Sequence, residues 1–290
     1  MGRGLSSLSD GHGTDTRGES GVTGLASWVP DGLDLDRPSA ARIYDYLLGG
    51  GHNFAHDREL AERFLRAQPY AREIARLNRA FLRRVVLYMI EQGIRQLLDL
   101  GSGIPTVGNV HEIAQKADPA TKVVYVDYED VAVAHSSLML EDNENATIVQ
   151  ADLTEPRTVL DHPETRKMID FGQPTGLLMV GVFHFVPPEK DPNAIVAAYR
   201  DAVTAGSYLG FSQFTADMMP AEMARIVEVM SHSRDPMYPR SKEEITGLFD
   251  GFEIVPPGIV ATSEWRPQSP TDTCDDPARA GIYAGAGRKR

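Results

Sequence analysis

Three carboxylates stand at the ends of three successive apolar, β-rich runs. Asp99 follows Leu97-Leu98, Asp127 follows Lys122–Val126, and Asp152 comes just after Thr147–Gln150. Directly after Asp99 the chain reads Leu100-Gly101-Ser102-Gly103-Ile104-Pro105-Thr106. Glycine has no Cβ, so the backbone of such a turn takes positive φ and lets a ligand come close. In open α/β sheets ligands bind at the carboxyl ends of strands, where all three carboxylates fall. Asp127 is placed to accept the two hydroxyl protons of a ribose, and Asp152 a proton of an exocyclic adenine amine. Three carboxylates around one pocket repel a pyrophosphate and suit a cationic ligand that carries an amino group and a nucleoside. Taken singly, each aspartate reads as a strand-end turn or helix cap. Their common register with the glycine turn favours binding.

The same window counts against a dinucleotide and excludes a P-loop nucleotide. A dinucleotide turn needs a third glycine for close helix–strand packing, and the residue there is Thr106. Pro105 removes a backbone N–H that would otherwise meet phosphate. No Gly-Lys-Ser/Thr follows the turn, so it is not a P-loop.

The elements that must position these residues follow from periodicity. Strands are expected at 95–100, 122–127, 146–150, 176–183, 207–214, 252–260 and 280–287, and helices near 105–117, 129–140, 155–169, 190–204, 220–232 and 241–250. This alternation indicates a mostly parallel sheet covered by helices on both faces. No helix separates the last two strands, so the final strand should be antiparallel. Upstream, Asp36-Arg37-Pro38-Ser39 offers a helix start and Gly49-Gly50-Gly51 a stop. A long helix at about 69–91 carries Ile74, Leu77, Phe81, Val85 and Tyr88 on one face, and Arg72, Arg76, Arg79 and Arg83 form a stripe that reads as a solvated face. The expected organisation is a flexible tail over 1–30, a helical segment over 31–93, and a seven-stranded α/β domain over 94–290. Gly49–Arg58 has the polar and aromatic content of a lid, with Asn53 able to donate and accept hydrogen bonds and Tyr44 and Phe54 able to cover a ligand.

The 290 residues hold 29 Lys and Arg against 41 Asp and Glu, a net charge of −12. That balance opposes sequence-independent nucleic-acid binding. A single cysteine, Cys274, forms no internal disulfide, which fits a reducing cytosol. No signal pattern or membrane-length apolar run is present, so a cytoplasmic protein is expected. His52 and His56 stand four apart, on one face if helical, but the zincin pattern needs Glu where this chain has Asn53, and no metal ligand is assigned.

The Asp-Leu-Gly-Ser-Gly turn, Asp127 and Asp152 resemble the motifs of class I S-adenosylmethionine-dependent methyltransferases. The run Tyr44–Glu59, then Asp99–Thr106, then Trp265-Arg266-Pro267, resembles the actinobacterial S-adenosyl methyltransferase family, formerly a domain of unknown function, over roughly residues 30–288. Many members carry Lys-Asp or a similar pair where this chain has Gly51-His52, so His52 receives no role. The resemblance implies a Rossmann-like fold with S-adenosylmethionine as cofactor. It implies that Asp99 faces the methionine amino group and that Gly101, Ser102 and Gly103 approach the methionine moiety. It further implies that Asp127 holds the ribose with Tyr128 against the adenine, that Asp152 and Leu153 meet the adenine edge, and that Gly181-Val182-Phe183-His184 passes beneath the sulfonium. Loops after the fourth to seventh strands should form the acceptor side, with His184 as candidate base and Trp265 either stacked on substrate or packed as a hinge. The expected function is methyl transfer to a small molecule. The alternatives are a cofactor-binding regulator without turnover and an NAD-dependent oxidoreductase, which Thr106 disfavours.

Overall fold

The computed structural model describes residues 36–106 and 108–290; the tail expected over 1–30 lies outside them. Three helices come first, α1 (Ala40–Leu47), α2 (Ala55–Ala67) and α3 (Ala71–Glu91). Then follow β1 (Gln96–Leu100), α4 (Val110–Ala117), β2 (Lys122–Asp127), α5 (Asp130–Met139), β3 (Ala146–Gln150), α6 (Pro156–Leu160), α7 (Pro163–Met168), β4 (Gly176–Val180), α8 (Pro192–Ala202) and β5 (Tyr208–Phe214). The chain ends with α9 (Pro220–Met230), α10 (Lys242–Gly247), β6 (Phe252–Ile254), β7 (Val260–Ala261) and β8 (Ile282–Lys289).

One eight-stranded sheet runs in the order β3-β2-β1-β4-β5-β8-β6, with β7 also paired to β8. Strands β1 to β5 are parallel, and β8 is antiparallel to β5, β6 and β7. From β1 the chain steps outward through β2 and β3, then returns to place β4 on the other side of β1. That reversal opens a crevice at the carboxyl ends of β1 and β4, the usual ligand position in such sheets.

Side-chain alternation divides the core in two. Leu98, Val124, Leu177 and Leu209 face a layer containing Ile195, Val196 and Tyr199 of α8. Leu97, Val123, Tyr125 and Leu178 face Phe81, Val85 and Met89 of α3. Burial on both faces explains why β1 and β2 read as nearly continuous apolar runs.

Several boundaries differ from expectation, each for a local reason. The strand expected over 252–260 is two strands. Pro256 and Pro257 lack ladder donors and Gly258 turns the chain at φ 94°, which brings the sheet to eight strands rather than seven. The fourth strand stops at Val180 because Gly181 has φ 72°. Helix α4 starts at Val110, where the Glu112 carboxylate accepts from Asn109 N at 2.9 Å. The helix expected over 155–169 is interrupted ahead of Pro163, and a His162 ring nitrogen accepts from Glu164 N at 3.2 Å. Helix α2 begins within the expected lid and takes in its last four residues, 55–58. Asp57 accepts from Phe54 N at 2.9 Å to start it, and Leu60, Ala61 and Phe64 bury its inner face. His52 precedes α2 and stacks on His135 at 3.9 Å, so it shares no helix face with His56. Among the described residues no helix is long and apolar enough to cross a membrane.

Candidate cofactor and acceptor site

The turn after β1 is held to the neighbouring strand. Gly101 N and Ser102 N both donate to Val126 O, at 2.8 and 3.1 Å, and Gly103 N donates to Asp127 Oδ2 at 2.7 Å. Glu129 N donates to Asp127 Oδ1 at 2.9 Å. The Asp127 carboxylate therefore ties together the turns after β1 and β2. Gly101 has φ 76°, and a Cβ there would lie 2.3 Å from Val182 Cγ2, so this position requires glycine. Gly103 has φ 68° and open space where a Cβ would stand.

Burial pushes the Asp99 carboxyl up to about 7, with the Arg79 guanidinium opposing the shift and the Asp127 charge adding to it. Burial likewise raises Asp127 to about 6 against the pull of its backbone donors. A pair of buried carboxylates held this high lacks enough positive charge and stabilises a cation brought to it.

One cavity, about 1300 Å³ with its mouth included, unites Asp99, Gly101, Ser102, Gly103, Asp127, Tyr128, Leu153, Val182 and His184 with Tyr44 of α1. Three expected residues lie elsewhere. Asp152 is half-exposed; its carboxylate accepts from Thr154 N at 2.8 Å and pairs with Lys190 Nζ at 3.3 Å, which leaves Ala151 and Leu153 at the cavity wall. Asn53 is buried beneath α1, where its Nδ2 donates to Asp45 Oδ2 at 2.8 Å and to Gly50 O at 3.0 Å. Phe183 points into the core against Phe211, ring centroids 5.3 Å apart.

His184 belongs to a 3-10 turn after β4. Its ring lies 4.3 Å from that of Phe185 and 4.9 Å from that of Phe214, and its buried Nδ1 has no hydrogen-bond partner among the described residues. Burial, with Arg240 adding, pulls the imidazole down to about 3, which makes it a poor proton acceptor and disfavours the role of general base. Arg240 also fixes this turn, its Nη1 donating to Phe183 O at 2.8 Å and its Nη2 to Val186 O at 2.7 Å. Trp265 is fully buried edge-on to Phe81 and Tyr88 and lies outside the cavity, so packing is its part.

Sequence reading missed four polar residues of the cavity, Asn78, Arg79, Glu129 and Asp235. Arg79 was hidden in the arginine stripe, whose other members Arg72, Arg76 and Arg83 are exposed as expected while Arg79 is half-buried at the cavity. Arg79 donates to Gly108 O at 2.8 Å, Arg76 to Thr271 O, and Arg83 to Gln268 Oε1 at 3.2 Å. Asn78 carried a signal, since it is a polar residue within the apolar face of α3; its Oδ1 accepts from Ser212 Oγ at 2.6 Å. Glu129 and Asp235 show no sequence pattern that marks them.

A family model described as S-adenosyl methyltransferase matches residues 26–290. A crystal structure of a candidate methyltransferase from Thermobifida fusca YX is 39% identical, covers 91% of this chain and 100% of its own, and superposes with a TM-score of 0.85. A DUF574 family protein from Streptomyces avermitilis MA-4680 is 35% identical over 89% of this chain and 99% of its own, with a TM-score of 0.86. No curated protein matches the chain. These likenesses extend across the crevice and the helices above it, and the chain accordingly belongs to the S-adenosyl methyltransferase family, as an S-adenosylmethionine-dependent methyltransferase.

Proposed function

We propose that this methyltransferase acts on a small-molecule acceptor, with the cofactor lying across the carboxyl ends of β1 and β2. The observation that carries the assignment is the cluster of buried Asp99, Arg79 and the glycine turn in one cavity. A zwitterionic amino-acid moiety matches it, with Asp99 taking the ammonium and Arg79 the carboxylate. Two further features support the fit. Ser102 Oγ is buried without a partner among the described residues, and Gly103 leaves open the space a side chain would fill. Asp127 would accept the ribose hydroxyls, and Tyr128 and Leu153 would hold the adenine.

When bound, the cofactor supplies an electrophilic methyl group on a positively charged sulfur. The protein's share is orientation and exclusion of water. Helices α1 and α2 serve as the cover. Arg42 joins them to the turn after β2, with Nε 2.8 Å from Asp57 Oδ2 and Nη1 2.8 Å from Glu129 Oε1. The acidic balance and single cysteine support a cytoplasmic enzyme that does not act on nucleic acid.

Mass spectrometry of an acid extract of the purified protein tests the reading. Stoichiometric S-adenosylmethionine or S-adenosylhomocysteine is the expected result. An extract carrying a nicotinamide dinucleotide instead would overturn it.

A further inference from the structure

Beyond the glycine turn the cavity continues into a chamber roofed by helices. Ile43 and Leu47 of α1, Phe64 of α2, Ile74 of α3, Met230 of α9 and the following Met237 line it, and all six are buried. Most polar groups at its wall are already engaged. Asp235 accepts from Ala40 N at 2.7 Å and from the Tyr128 hydroxyl. Glu129 is paired with Arg42. The Tyr44 hydroxyl donates to Ala75 O at 3.1 Å. Arg79 is the one cation among the described residues lining the cavity, and it belongs to the Asp99 end.

His184 is the exception. Its side chain lines the cavity, its Nδ1 is buried, and no group among the described residues bonds to that nitrogen. A buried polar atom left this way carries the desolvation penalty of an unmade hydrogen bond. An anionic acceptor would lose its hydration against these walls without gaining a counter-ion, and the carboxylates nearest the chamber are already engaged, Glu129 by Arg42 and Asp235 by Ala40 N and the Tyr128 hydroxyl. An apolar one gains from the same walls.

We propose that the methyl acceptor is an uncharged, largely apolar ring compound bearing a hydroxyl group, seated in this chamber with the hydroxyl donating to the His184 imidazole. The proposal rests on the cavity being the cofactor and acceptor site. His184 is then a positioning residue, and burial keeps its ring in the neutral form that accepts a hydrogen bond.

The test uses the full chain saturated with S-adenosylhomocysteine and follows binding of three probes by fluorescence: 2-naphthol, 2-methoxynaphthalene and 2-naphthoate. Naphthol should bind at least about tenfold more tightly than naphthoate and about fivefold more tightly than the methyl ether, which lacks the donor. In His184→Phe the preference over the ether should fall below about twofold, while His184→Gln should retain part of it. S-adenosylhomocysteine affinity, measured on each variant, reports an intact fold. Naphthoate binding as tightly as naphthol, an undiminished preference in a folded His184→Phe, or no naphthol binding to protein that binds S-adenosylhomocysteine would each overturn the proposal. Failure of the wild-type protein to bind S-adenosylhomocysteine would overturn the cofactor reading beneath it.

Discussion

Asp127 and Asp152 show how much a residue's role depends on what folds against it. Both follow a β-rich run, and in the sequence they are equivalent. Gly103 N and Glu129 N aim the first carboxylate into the cavity wall, whereas Thr154 N and Lys190 hold the second at the surface. Lys190 lies 38 positions further along the chain, so nothing local to Asp152 announces it. Asp99 carries the residue-scale prediction. Its carboxyl is raised to about 7 and that of Asp127 to about 6, chiefly by burial. A raised folded-state value means that these groups favour folding below about pH 4, and that this contribution is lost as pH rises through 6 to 7. Affinity for a ligand ammonium has the opposite trend, because only the ionised carboxylate attracts it. Calorimetry should find S-adenosylhomocysteine bound about tenfold more tightly at pH 7.5 than at pH 5.5, and Asp99→Asn should flatten that dependence. A wild-type affinity independent of pH would exclude Asp99 as the ammonium's partner.

At the scale of elements, the sheet was more legible than the cover. The strands β1 and β2 could be read from the sequence because burial on both faces makes parallel strands nearly continuously apolar. Helix α2 was not, because its buried positions Leu60, Ala61, Phe64 and Ala67 are diluted among charged residues and its start depends on Asp57 rather than on a serine or threonine cap. The same carboxylate is part of a buried network with Arg42 and Glu129. Asp57 accepts from Ser39 N at 3.1 Å and from Phe54 N at 2.9 Å, and the Arg42 side chain is fully buried. Removing only the cation strands two carboxylates. Arg42→Met should therefore cost about 3–5 kcal/mol of stability in urea denaturation. A loss below about 1 kcal/mol would show that the network contributes little net stability and that α1 and α2 are held by their apolar contacts instead.

Across the whole molecule, the site exists because strand order reverses between β1 and β4 and because three helices preceding the sheet return over that point. The Asp-Leu-Gly-Ser-Gly turn marked the crevice in the sequence, and the family resemblance named the ligand. The roof was harder to read, since Asn78 and Arg79 reach the cavity from α3, before the first strand, and Asp235 from beyond α9, far along the chain from the turn. The central claim is that these distant parts make one S-adenosyl site in which Asp127 joins the first two turns and receives the ribose. Isothermal titration of S-adenosylhomocysteine into the wild-type protein and Asp127→Ala tests it most directly. The wild type should bind one equivalent, and Asp127→Ala should bind at least about tenfold more weakly with its circular dichroism unchanged. An Asp127→Ala protein that keeps wild-type affinity would contradict the assignment.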